Sequence, residues 1–125
     1  MYKSLHDDQK KVVNANLLAL KTPWFRYFLT SDPYPALVKV KCPVLALNGS
    51  KDLQVPPGEN LAAIEKALKE GGNLNFKTME LENLNHLFQI CETGAVAEYA
   101  QIEETISPAV LEILGDWIKN FGIKN

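Results

Sequence analysis

The apolar positions of this chain change period several times, and each change marks an element. Over residues 8–20, Val13, Leu17 and Leu20, flanked by Val12 and Leu18, recur at helical spacing while Lys10, Lys11 and Asn14 fall opposite. This predicts an amphipathic helix. Thr22-Pro23 then supplies an N-cap and a first-turn proline for a short helix through Trp24, Phe25, Arg26, Tyr27, Phe28 and Leu29, which Asp32-Pro33-Tyr34-Pro35 ends. Residues 42–47 form a short, almost wholly apolar run between Pro43 and Asn48-Gly49, the pattern of a strand buried on both faces. Residues 58–70 return to helical spacing, with Leu61, Ile64 and Leu68 on one stripe, Glu65 and Lys69 one turn apart, and Gly71-Gly72 as the stop. Residues 74–81 read as a second strand, though their alternation is imperfect. A polar stretch runs on to Glu104, with a short helical turn near residues 96–99. Ser107-Pro108 opens a last helix whose Val110, Leu114, Trp117, Ile118 and Phe121 form one face and whose stop is Gly122.

Strand, helix, strand and helix in that order make a βαβ unit with a covering helix, so the expected class is α/β with a short parallel sheet and flanking helices. At 125 residues, 46% apolar and 22% charged, the chain has the size of one domain: residues 1–41 as a helical lead-in and 42–125 as the βαβ-α body. No internal repeat or low-complexity segment interrupts it. Thirteen basic against fifteen acidic residues leave a net charge of −2, dispersed along the chain, which argues against a nucleic-acid partner. Nothing approaches the roughly 18 consecutive apolar residues of a membrane span, and the first eight residues are polar without the apolar core of an export signal. Localisation stays open, because a fragment would lack its parent's N-terminus. Cys42 and Cys91 fit neither a disulfide framework nor a zinc-ligand spacing and are expected as buried thiols. Cys91 lies five residues after His86, but nucleophilic Cys–His pairs are ordinarily assembled from distant sequence.

In parallel sheets, functional groups collect in loops beyond the C-terminal ends of the strands. Two such loops exist here, residues 48–56 carrying Asp52 and residues 82–88 carrying His86. A carboxylate beside an imidazole can accept a hydrogen bond from one ring nitrogen and leave the other free as a base. The bland alternatives stand beside this one: an Asp in a Gly-x-x-Asp turn is an ordinary turn former, and a lone His in an apolar setting is ordinarily structural.

The run Pro43-Val44-Leu45-Ala46-Leu47-Asn48-Gly49-Ser50-Lys51-Asp52 resembles the late strand and acid loop of α/β-hydrolases, and Leu84-Asn85-His86-Leu87-Phe88 resembles their histidine loop. With residues 22–28 and the closing helix, the resemblance covers most of the chain and is nearest to the bacterial carboxylesterase and acyl-hydrolase branch. Glu82-Asn83 replaces the Pro-Gly that often precedes the histidine loop; Asn tolerates the left-handed turn required there. The larger departure is that no Gly-x-Ser-x-Gly elbow occurs. Ser4 and Ser31 lack that setting, Ser50 lies in the acid loop, and Ser107 reads as a helix cap.

The resemblance therefore implies the C-terminal part of a serine hydrolase acting on carboxylic esters, with Asp52 and His86 as triad acid and histidine and the serine elsewhere. It implies no metal or organic cofactor, an ester substrate for the parent enzyme, and an isolated chain without activity. It also suggests an acyl pocket lined by Trp24, Phe25, Tyr27 and Phe28; simple packing onto the sheet is the more ordinary explanation for each of them. The alternative is a non-enzymatic α/β module that kept the scaffold for association or binding. Missing strands and helices would leave a sheet edge and apolar helix faces open, so a homodimer is expected.

Overall fold

A computed structural model describes residues 6–122 and separates the chain into two units, Met1–Pro33 and Tyr34–Asn125. The first unit is a helix pair. Helix α1 (Asp7–Leu20) begins with Asp7 and Asp8, whose charge suits a helix N-terminus and which pair with Lys10 and Lys11 one turn on. In α2 (Pro23–Thr30) Pro23 takes the first turn, and the Thr22 hydroxyl oxygen accepts from the Phe25 amide at 3.3 Å, as the capping pattern predicts. Trp24 and Phe28, one turn apart, stack with ring centroids 5.6 Å apart.

The second unit begins earlier than the hydrophobic pattern suggests. Residues 34–41, grouped by sequence with the lead-in, include a one-turn helix α3 (Tyr34–Leu37) packed against α4 (Pro57–Glu70). The Tyr34 hydroxyl donates to Glu70, and the Lys41 ammonium donates to the Gly71 carbonyl. Gly71 is small for a reason: a Cβ there would stand 2.1 Å from the Val38 carbonyl oxygen. Gly72 takes a φ of 75° and turns the chain out of α4.

Strand β1 (Val44–Gly49) pairs in parallel with β2 (Phe76–Leu81), Val44 opposite Phe76 and Gly49 opposite Leu81. Both strands start two residues later than the apolar run suggests, and β1 runs on through Asn48 and Gly49, because pairing with Glu80 and Leu81 outweighs their turn propensity. Asn73 fixes this register. Its amide nitrogen donates to the Val40 and Cys42 carbonyls and its oxygen accepts from the Asn75 amide, tying the entry of one strand to the entry of the other.

The crossover helix α4 packs on both strands and buries Leu61, Ala67 and Leu68. The core of the unit is Leu81, Leu84 and Val110, with Leu47, Met79, Phe88, Ile106, Ile113 and Leu114 packed around it. Val110 and Leu114 come from α5 (Pro108–Gly122), which follows a 3₁₀ turn at Val96–Gln101. The apolar face of α5 is narrower than its sequence suggests. Ile118 lies about 80° around the helix from Val110 and is 62% exposed. Phe121 also stays exposed, its ring against Trp117 at 4.1 Å. Gly122 closes the helix as its last residue rather than standing beyond it.

The class is thus mixed α/β with a two-stranded parallel sheet. Two strands give β1 one neighbour, so Val44–Leu47 are only half-buried, and burial on both faces is not met among the described residues. No described helix is long and apolar enough to cross a membrane.

Candidate functional site

The two loops beyond the strand ends are stitched together before any side chain of chemical interest is considered. The Ser50 amide donates to the Leu81 carbonyl at 2.8 Å and the Lys51 amide to the Leu84 carbonyl at 3.0 Å. Such close approach requires Gly49, where a Cβ would lie 2.2 Å from the Leu84 carbonyl oxygen. The Ser50 hydroxyl oxygen accepts from the Asn83 amide at 2.9 Å, so this serine braces the histidine loop. Lys51 reaches further, donating from Nζ to the Cys91 and Glu92 carbonyls.

In this frame Asp52 is buried and its carboxylate fully engaged. Oδ1 accepts from the amides of Gln54 and Val55, both at 2.9 Å. Oδ2 accepts from Asn48 Nδ2 at 3.1 Å and lies 2.9 Å from His86 Nδ1. Burial by itself pushes the carboxyl up, but the hydrogen bonds from His86 and from the Val55 and Gln54 amides outweigh it and hold Asp52 below its ordinary pKa. An ionised carboxylate has no proton to give, so His86 Nδ1 must be the donor. Nε2 of the neutral ring is then left with its lone pair. The His86 side chain is 38% exposed against 5% for Asp52, so the imidazole is the more accessible member of the pair.

The histidine loop is shaped by Asn85, which is fully buried. Its Oδ1 accepts from the Leu87 and Gln89 amides and its Nδ2 donates to Gln89 Oε1, replacing the backbone partners that a tight loop loses. Asn83 has a φ of 61°, the left-handed geometry anticipated at that position. Phe88 was not anticipated. Its φ of 58° is costly for a bulky residue, on the order of 1–3 kcal/mol. Three contacts hold it there: its ring packs on the core, its amide donates to the Asn85 carbonyl, and its carbonyl accepts from the Ser107 amide.

The loops, the end of β1 and the start of α4 border an open cleft of about 190 Å³, with Leu47, Val55, Phe88 and Asn60 beside Asp52 and His86. A larger groove, about 480 Å³, runs along the strands beside Phe76, Met79 and Trp117, and neither Asp52 nor His86 lines it.

The sequence-predicted pair is therefore brought together, while the other candidates are not. Cys91 is buried and donates its thiol to the Asn83 carbonyl; burial, then the Glu98 charge, raises its pKa, opposite to what a nucleophile requires. Cys42, expected buried, is exposed at the entry to β1. Ser107 immediately precedes α5, its carbonyl accepting from the Val110 amide. Trp24, Phe25, Arg26, Tyr27, Phe28 and Ser31 belong to the first unit, and Ser4 lies outside the described residues. Among the described residues no group of three His, Cys, Asp or Glu side chains is placed to hold a metal ion. Sequence reasoning missed Asn48, Lys51, Asn60 and Asn85. Asn48 carried a faint signal, being polar at the end of an apolar run, and Asn85 none beyond its place beside His86; the partners of both are set by the fold.

Comparison with protein-family models, with curated proteins and with solved structures finds no match to the chain.

Proposed function

We propose that this chain supplies the acid and the histidine of a serine hydrolase acting on carboxylic esters, the serine lying outside these 125 residues. The observation that carries this reading is the 2.9 Å contact between Asp52 and His86 Nδ1, with the carboxylate buried and the His86 side chain partly exposed. In this role His86 Nε2 takes the proton of the serine hydroxyl as the oxygen attacks the ester carbonyl, then returns it to the departing alkoxide. Asp52 keeps the ring in the required tautomer and stabilises the transient imidazolium. The sequence resemblance to the acid and histidine loops of α/β-hydrolases supports the same reading.

A second reading, an association or binding module built on this scaffold, is favoured by one observation. Ser50, the serine nearest the pair in sequence, is engaged by the Asn83 amide, and no elbow serine exists in the chain. The two readings separate on the coding sequence upstream of Met1: an in-frame Gly-x-Ser-x-Gly supports the hydrolase, and its absence supports the module. An assay tests the chain itself. With an activated short-chain aryl ester, the 125-residue protein should turn over no faster than its His86→Ala variant, since both nucleophile and oxyanion amide are absent. Turnover that disappears in the variant would place a nucleophile within these residues and refute the division of labour.

A further inference from the structure

Asp52 is held by more than its own loop, and the additional contact has a direction. Asn48, the penultimate residue of β1, is 4% exposed. Its Nδ2 faces two groups, Asp52 Oδ2 at 3.1 Å and the Val55 carbonyl at 3.2 Å. Its Oδ1 faces Asn60 Nδ2 at 2.7 Å. Asn60 sits in the first turn of α4, where its amide donates to the Pro56 carbonyl.

A side-chain amide is nearly symmetric in shape but opposite in polarity at its two ends, so its neighbours decide which way it points. A backbone carbonyl only accepts, so the end of Asn48 facing Val55 must be the NH₂. That places Asn48 Oδ1 toward Asn60, which must therefore present its own NH₂. Reversing Asn48 would set its oxygen against both the Val55 carbonyl and the Asp52 carboxylate in a buried site, where unpaired like dipoles are costly.

We propose that Asn60 and Asn48 are positioning residues that fix the polarity of the Asp52–His86 pair. Hydrogen-bond direction runs from Asn60 to Asn48 to Asp52. The donor that Asn48 directs at Oδ2 favours the ionised carboxylate, which can only accept from His86, so the ring proton stays on Nδ1. The relay couples the crossover helix to the imidazole through one buried amide. This inference rests on reading Asp52–His86 as the orienting pair of a hydrolase, and its test separates the two.

The test is the tautomer of neutral His86, read from the imidazole ¹⁵N shifts and the low-field Nδ1 proton of the 125-residue chain, with His6 assigned through His6→Ala. The wild type should hold the ring proton on Nδ1 in the majority of molecules. Asn60→Asp keeps the shape but replaces the donor with an acceptor facing Asn48 Oδ1; with the Asn48 donor turned from Oδ2, the Nδ1-protonated fraction should fall and the low-field proton signal should weaken. The backbone amide spectrum of β1 and β2 should be retained. Asn60→Ala, which frees Asn48 to turn, should give a smaller loss in the same direction and decides the matter if Asn60→Asp does not fold. Folded variants with the wild-type tautomer would overturn the relay and leave the pair intact. A wild type without the Nδ1 proton would overturn the orienting pair, and the relay with it.

Discussion

Gly49→Ala is the substitution that most directly tests how the acid and histidine loops are held together. The added methyl carbon would lie 2.2 Å from the Leu84 carbonyl oxygen and 2.7 Å from that of Asn85, whereas ordinary contact begins at 3.4 Å. Backbone atoms cannot rotate away as a side chain would, so the histidine loop must retreat by about 1 Å. The Lys51 amide to Leu84 carbonyl bond, now 3.0 Å, runs between the same segments and breaks. Its loss costs about 1 kcal/mol net, and overpacking adds about 1–3 kcal/mol. Removing a glycine from the unfolded chain offsets about 0.4–1 kcal/mol of this. A net destabilisation of about 1–3 kcal/mol is expected. His86 lies two residues beyond Leu84, so the same retreat should carry it out of reach of Asp52. Urea unfolding followed by Trp117 fluorescence in a Trp24→Phe background measures the first effect, and the His86 Nδ1 proton signal measures the second. Gly58→Ala is the control. A methyl there meets nothing within 4 Å at the start of α4, so it should be neutral or stabilise by up to about 1 kcal/mol. A Gly49→Ala protein with an unchanged urea midpoint and an intact Nδ1 signal would refute the reasoning.

Two further outcomes follow from other parts of the fold. Hydrogen bonds from the Thr93 hydroxyl and from the Glu92, Thr93 and Gly94 amides hold the Glu98 carboxyl down to about 2 from an ordinary 4.5. A depressed folded pKa means the contribution is complete above the ordinary value and is lost as pH falls from there through about 2. Hydrogen-exchange protection of the Thr93 and Gly94 amides should fall over that window and lose this dependence in Glu98→Gln; identical profiles in the two proteins would contradict it. The second concerns β1. The Val44 and Ser50 amides donate toward β2, so by ladder alternation the backbone of Leu45, Leu47 and Gly49 faces the other edge, where no described strand pairs. We propose that a second copy of the chain pairs there, giving a homodimer in sedimentation at micromolar concentration; a stable, folded monomer would rule it out.

The order of elements was legible in the residues alone, because period and punctuation are local properties. Thr22-Pro23, Gly71-Gly72 and Ser107-Pro108 mark helix ends by the backbone angles and hydrogen-bond donors they offer, and these need no distant partner. The same holds for the placing of Asp52 and His86 in loops after strands. What no local pattern encodes is which loops touch and in what polarity. The strand limits moved because Asn48 and Gly49 gained partners across the sheet, and residues 34–41 joined the second unit because α3 found a surface on α4. Spacing puts Ile118 and Phe121 on the apolar face of α5, yet both are exposed, and the sheet has only two strands among the described residues. The left-handed Phe88 runs against its own propensity and persists only because Asn85, Ser107 and the core over-determine it. Asn48 and Asn60 illustrate the limit most sharply. Twelve residues apart and individually unremarkable, they acquire a role only when a strand end and a helix start converge on one carboxylate. A sequence specifies which groups are available; the direction of a buried hydrogen-bond chain is decided by what surrounds it.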